Sequence, residues 1–286
     1  GSPMATWQNI GETSNKGYEI QLSTVNVKSR NFQWSSSISY THNDEKIVDL
    51  PDGDLIAKKL FEGHPIKTFY DFKYAGIWST AEEEEAAKYG CQPGYVKIET
   101  VEQFTTDENG NLVGDGGVHT YSNTRDLQIL GSNVPDGILG VNNTFKYRDF
   151  DLSVFAIVRY GQMIDSKTIG WYSANGNNQP RGTNYWTPEN QSAYFPRPGI
   201  ASTTGIGSLK YIDGSYAKIK NITLGYTFPK KLCKTLGLEQ CRLYATAYNV
   251  FVLPFKSELK HSDPENNGSD TFPLYKTYLL GLNVSF

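Results

Sequence analysis

The chain has 286 residues, a net charge of −3 and a mean hydropathy of −0.48, with 27 Gly, 19 Tyr and 14 Phe. The near-neutral balance provides no basic surface able to neutralise phosphates, which excludes a nucleic-acid binder, and no apolar run approaches the roughly 18 to 20 residues of a membrane helix. Glycine and aromatics together favour turns and pleated strands over helix. A membrane-spanning strand needs only about 9 to 11 residues with one apolar face, so a polar average leaves the membrane open.

Period-two alternation marks the strands in chain order. Tyr18, Ile20 and Leu22 share one face. Between Asn31 and His42, Phe32, Trp34, Ile38 and Tyr40 oppose Gln33, Ser35, Ser37, Ser39 and Thr41. Two weaker strands are expected at Lys67 to Trp78 and Tyr95 to Val101. Leu139, Val141, Phe145 and Tyr147 oppose Asn142, Thr144, Lys146 and Arg148. Phe150 to Tyr160 repeats the pattern against Asp151, Ser153 and Arg159, with Phe155 and Ile157 interrupting the polar face. From Tyr216 to Phe228 the parity slips near Asn221, which predicts a β-bulge. Leu243, Ala245, Ala247 and Phe251 form a further face, and Tyr278, Leu280, Leu282, Val284 and Phe286 end the chain against Thr277, Gly281, Asn283 and Ser285.

About nine strands result, and their connections alternate. Short ones fall at Lys28 to Arg30, around Arg148 and Asp149, and from Pro229 to Gln240. Long ones run from Asn43 to Pro65, Thr105 to Pro135, Gln162 to Asp213 and Leu253 to Pro273, with Thr80 to Pro93 intermediate. Short turns on one side and long loops on the other are the pattern of a bacterial outer-membrane barrel, with turns periplasmic and loops extracellular. Counting back from a final strand that ends at the periplasm places every short turn there. Glu82 to Ala87 then reads as a short solvated helix on the periplasmic side. The alternative for so much alternation is a soluble all-β protein, a carbohydrate-binding or adhesive sandwich whose apolar faces would meet in a dry core.

Three cysteines make no disulfide framework. Cys233 and Cys241 either bridge in an oxidising periplasm or remain two thiols, while Cys91 stands alone. The start shows no leader pattern and reads as mature or internal sequence. His42, His64, His119 and His261 fall in or beside loops without HExxH spacing, and no constellation supports catalysis. No cofactor is expected. Asp107-Glu108-Asn109-Gly110-Asn111 starts like a calcium loop but lacks its closing Glu, so no metal site is assigned. For ligand binding, the loop from Gly170 to Asn190 supplies aromatic platforms and hydrogen bonders, with Trp171, Tyr172, Asn178, Arg181, Tyr185 and Trp186 as candidate contacts. The competing reading packs these aromatics on the loop itself or on a partner.

Several phrases occur in order: Asn15-Lys16-Gly17-Tyr18-Glu19, Glu62-Gly63-His64-Pro65, Tyr185-Trp186-Thr187-Pro188-Glu189-Asn190, Ile219-Lys220-Asn221-Ile222-Thr223-Leu224-Gly225-Tyr226, Leu243 to Phe251, Asp263-Pro264-Glu265 and Leu280-Gly281-Leu282-Asn283-Val284-Ser285-Phe286. Together they resemble the C-terminal portion of the SusC/RagA-type TonB-dependent transporters of Bacteroidetes outer membranes, over nearly the whole chain. Tyr248, where the family often has Gln, and the Cys233/Cys241 pair depart from it.

The resemblance implies that residues 1–286 are part of an all-β, antiparallel transmembrane barrel of about 22 strands, whose N-terminal plug and first strands are not in this chain. It further implies the cell outer membrane, contact with its lipid, a SusD-type surface lipoprotein, coupling to TonB through the missing region, and import of oligosaccharides or peptides. The final strand should pair with Leu243 to Phe251 on one side and with an absent strand on the other.

Overall fold

The computed structural model describes residues 11–172, 182–200 and 203–286. Its strands are β1 (Glu12–Lys28), β2 (Phe32–Asp49), β3 (Thr68–Ile77), β4 (Val96–Glu99), β5 (Phe104–Thr106), β6 (Leu112–Gly114) and β7 (Leu127–Ser132). Then come β8 (Gly137–Tyr147), β9 (Phe150–Tyr160), β10 (Met163–Asp165), β11 (Tyr211–Asp213), β12 (Tyr216–Thr227), β13 (Gln240–Pro254) and β14 (Thr277–Ser285). The helices are α1 (Glu83–Lys88), α2 (Lys167–Gly170) and α3 (Lys230–Thr235).

The long alternating strands build one antiparallel sheet in the order β1-β2-β8-β9-β12-β13-β14. Neighbours in the sheet are neighbours along the chain once two excursions are skipped, so it is a meander. The β8–β9 turn is Arg148-Asp149, with Arg148 at φ 52°, the left-handed value a two-residue hairpin demands. The predicted bulge appears as a register shift between Ile219 and Asn221, matched on β13 by Asn249 at φ 52°. Beyond that shift the outward residues change from odd to even numbers. As expected for the closing strand, β14 pairs with β13, from Ser285 opposite Gln240 to Thr277 opposite Tyr248. The outer edges of β1 and β14 carry no further strand among the described residues.

All nine expected strands form, but seven share the main sheet. The other two become β3 and β4, which with β7 make a separate three-stranded sheet inside the long β2–β8 connection. Their apolar side chains have a different destination: Phe72, Val96 and Ile98 bury against one another instead of facing lipid. Removing a pair of strands leaves the parity of the count unchanged, so the short turns still lie at one end and the connections 50–136, 161–215 and 255–276 at the other. The placement of Glu82 to Ala87 needs correcting. The helix, α1, lies between β3 and β4 and thus at the loop end, because Ala86 is fully buried with Trp78, Cys91, Tyr95 and Ile200.

The three connections pack into one layer. Ile200 of the second joins Trp78 and Tyr95 of the first. Leu259 of the third joins Ile164, Ile169, Tyr172, Leu209 and Ile212 of the second. The dry core of the protein lies here and not on the main sheet. Cys91, Cys233 and Cys241 are free thiols. Asp107 closes the β5–β6 hairpin turn, its carboxylate accepting the N–H groups of Asn109 and Asn111.

Candidate functional site: an apolar band and a loop-end cleft

The pairing register turns the alternation of single strands into continuous rows across the sheet. Nearest the turns, Phe32, Tyr147, Phe150, Tyr226, Leu243 and Leu282 line up, with Phe150 and Tyr226 rings 4.7 Å apart. The next row is Trp34, Phe145, Leu152, Leu224, Ala245 and Leu280. At the loop end Ile20, Tyr40, Leu139, Val158, Ala217 and Leu253 form another, bordered by Tyr18 and Tyr160. The Tyr160 ring lies over Gly137, where a Cβ would sit 2.6 Å from its hydroxyl.

This face is open: Phe150 is 50%, Leu224 51% and Leu280 75% exposed. A soluble sandwich would cover such a face, since contiguous apolar surface this broad costs about 25 cal/mol per Å² in water. An apolar band edged by aromatics at both ends is the surface of a sheet that meets lipid.

The opposite face is polar and bonded to itself. Ser153 donates to Asn142 at 3.1 Å, the hydroxyls of Thr223 and Thr246 meet at 2.9 Å, and Arg242 grips Asp151 bidentately at 2.9 and 2.6 Å. Gly225 leaves room for that guanidinium, which a Cβ would meet at 2.3 Å. One polar group sits on the apolar face instead. Asn143 accepts from Trp34 and Ser36, Asn26 donates to Ser36, and Thr24 donates to Asn26. Strand alternation alone gave no sign of this chain, since it depends on cross-strand register.

At the loop end a cleft of about 840 Å³ separates α1 and its flanks from the segment 185–198. One wall carries Glu83, Cys91 and Gln92, the other Tyr185, Trp186 and Arg197. Gly94 stitches the walls together: its N–H bonds to Trp78 O and its carbonyl accepts from Arg197 N–H at 3.0 Å. A side chain at Gly94 would collide with Trp186 and Arg197, and φ there is +86°. Gln191 holds Thr80 through its amide, and the Arg197 guanidinium lies over the Tyr95 ring while donating to Gln92. Burial raises the pKa of the Cys91 thiol, which argues against a reactive thiolate.

The α1 wall is held by a capping box. The Glu82 carboxylate receives Lys97 Nζ at 2.7 Å and the Ser79 N–H, which together lower its pKa from 4.5 to about 2. A depressed carboxylate pKa stabilises above the unfolded value and loses that contribution as pH falls through the folded one. Glu82→Ala should therefore loosen α1 at pH 7 by about 1 kcal/mol, read as faster amide exchange over residues 79–92. Wild type should keep its protection down to about pH 4.5 and lose it as the pH falls toward 2.

The six candidate ligand contacts do not converge. Tyr185, 43% exposed, and Trp186, 3% exposed, line the cleft. Tyr172 is buried, stacks on Phe195 at 4.8 Å and donates to Pro196 O, so it supports the 185–198 segment from beneath. Trp171 lies elsewhere, 56% exposed beside the third connection. Asn178 and Arg181 lie outside the described residues. Sequence reading missed Arg197 and Gln92, which reach the cleft only because two distant connections pack together.

The third connection is anchored on β12. Lys218, whose side chain is 1% exposed, contacts both Asp263 and Glu265, and Lys220 also holds Glu265. Burial alone would raise the Glu265 pKa, but the hydrogen bonds from Lys218 and Lys220 outweigh it and hold it low.

An open antiparallel sheet with a lipid-facing band, a polar face and all long connections at one end defines a stretch of transmembrane β-barrel wall. Comparison with known proteins agrees. The chain is 30% identical over 311 residues to TonB-dependent receptor P26 and 28% identical over 308 residues to TonB-dependent receptor P3, both of Formosa agariphila. It is 26% identical over 299 residues to TonB-dependent receptor SusC of Bacteroides thetaiotaomicron. Each alignment takes in 98% of this chain but only 27% to 30% of the relative. The structure of the RagAB peptide transporter matches 98% of this chain and 30% of its own, with a TM-score of 0.73 at 21% identity, which supports the fold. No protein-family model matches. Over nearly its whole length the chain is similar to these TonB-dependent receptors, SusC among them, and it spans less than a third of theirs.

Proposed function

We propose that the chain is the C-terminal wall and outer-loop portion of a nutrient importer of the cell outer membrane, energised through TonB. The carrying observation is the apolar band that runs across all seven strands of the main sheet, with every long connection gathered at one end. The remaining barrel strands would pair with the free edges of β1 and β14, since unpaired strand edges are not tolerated in lipid. The plug and TonB contact would lie in that remainder, and a SusD-type lipoprotein would sit over the loop layer. Substrates would be oligosaccharides or peptides, the latter favoured by likeness to a peptide transporter. The whole transporter should fractionate with the outer membrane and run as a heat-modifiable band. Recovery in the soluble fraction would overturn the assignment.

Within this reading the loop aromatics contact substrate, with Tyr185 as the exposed platform, Trp186 and Arg197 as the wall, and Tyr172 as support. Asn178 and Arg181 would complete the set, whereas Trp171 borders a different hollow and has no part in the cleft. Tyr185→Ala should weaken binding of the transported oligosaccharide or peptide by about 1 kcal/mol, roughly fivefold, with the barrel unchanged in heat-modifiability. Unchanged affinity would move substrate contact away from the cleft.

A further inference from the structure

We infer that the rim of β13 holds the phosphate of a lipid headgroup in the leaflet on the loop side, an inference that rests on the wall reading above. β14 pairs only as far as Tyr248, so from Asn249 to Pro254 β13 keeps β12 on one side and has no strand on the other. The third connection folds over this notch and leaves a hollow of about 480 Å³. Lys260, His261 and Lys276 line it and are exposed, and among the described residues neither lysine is ion-paired.

Acidic groups are present too, but unevenly matched. Asp263 is already neutralised from within by Lys218, leaving exposed Asp270 as the opposing charge. Directly below, Phe251 (53%) and Tyr278 (77%) project from the apolar face, and Lys276, which lines the hollow, lies just ahead of the first residue of β14. Trp171 borders the hollow, an amphipathic ring of the kind that settles at a membrane boundary.

Cations level with the boundary and apolar side chains beneath them match an amphiphile with a phosphate above and acyl chains below. The ammonium groups act as compact point charges suited to phosphate. A substrate sugar or peptide has no use for an apolar face on the lipid side, so the chemistry favours lipid over cargo. In the outer membrane the loop-side lipid is a phosphorylated glycolipid, so diphosphoryl lipid A is the appropriate probe.

The test uses the whole transporter, extracted in mild detergent and reconstituted with diphosphoryl lipid A or with the same lipid stripped of its phosphates, followed by mass spectrometry of retained lipid. Wild type should retain the phosphorylated lipid at least fivefold better than the K260Q/K276Q variant. K234Q, which alters an exposed lysine in α3 at the turn end, should match wild type. Dephosphorylated lipid should be held equally poorly by all. Equal retention of phosphorylated lipid by the double variant would overturn the site, and so would equal retention of both lipids by wild type. Displacement of lipid A by millimolar inorganic phosphate would reassign the hollow to free phosphate. Failure of wild type to reach the outer-membrane fraction would remove the wall reading and this site with it; correct fractionation with no phosphate preference would remove the site alone.

Discussion

Leu224→Arg in the whole transporter is expected to lower barrel stability by about 1–3 kcal/mol, the cost of a basic side chain inside a lipid-facing band one row in from its turn-end aromatics. Leu224 is half exposed and sits in a row with Leu152 and Ala245, so an arginine there has only lipid for surroundings. Ser153→Arg, one row away on the neighbouring strand but on the opposite face, should cost well under 1 kcal/mol because that face is wet. Urea unfolding in phospholipid vesicles separates the two. In a soluble sandwich the order would also favour Ser153, but refolding of both variants would proceed without lipid. Lipid dependence is therefore part of the expected result.

Lys218→Met is expected to release the third connection. Breaking a buried pair by removing one partner typically costs about 3–5 kcal/mol, because the charge left behind is uncompensated. Here the orphaned groups are Asp263 and Glu265, which are only partly buried, and Lys220 still holds Glu265, so the lower end of that range applies. The loss should be local. Amide exchange and protease cleavage should rise over residues 255–276, and Leu259 should loosen from its contacts with Ile164 and Tyr172, while the sheet keeps its protection. A triple variant, K218M/D263N/E265Q, should recover part of the loss by removing both orphaned carboxylates, leaving only the partly exposed Lys220 without its partner. The wild-type anchor should weaken as pH falls below the ordinary carboxylate range, since Glu265 stabilises only while ionised.

The wall was legible in the sequence because alternation is a local signal that lipid and lumen enforce on every strand. Even the bulge could be read, from the parity slip at Asn221. What failed to show was destination. β3 and β4 alternate as well as some wall strands do, yet their partners are β7 and the buried side chains of the loop layer, and those contacts span long stretches of chain. The helix α1 went to the wrong end for the same reason: four glutamates look solvated, while Ala86 beneath them is fully buried. The candidate ligand residues were drawn from one loop, but packing split them, sending Tyr185 and Trp186 to the cleft and Trp171 to the rim. Arg197 carries no motif; only the closeness of Gly94 to it reveals the role.

The claim that the main sheet crosses a membrane is tested most directly by single-cysteine substitutions along β12, from Tyr216 to Thr227, in a cysteine-free transporter reconstituted in phospholipid vesicles. A lipid-soluble maleimide should label positions 217 and 219, then switch phase at the bulge and label 222, 224 and 226. An aqueous reagent should instead label 220 and 223, leaving 218, covered by the third connection, protected. Uniform aqueous labelling, or protection of both faces from the lipid-soluble reagent, would contradict the account.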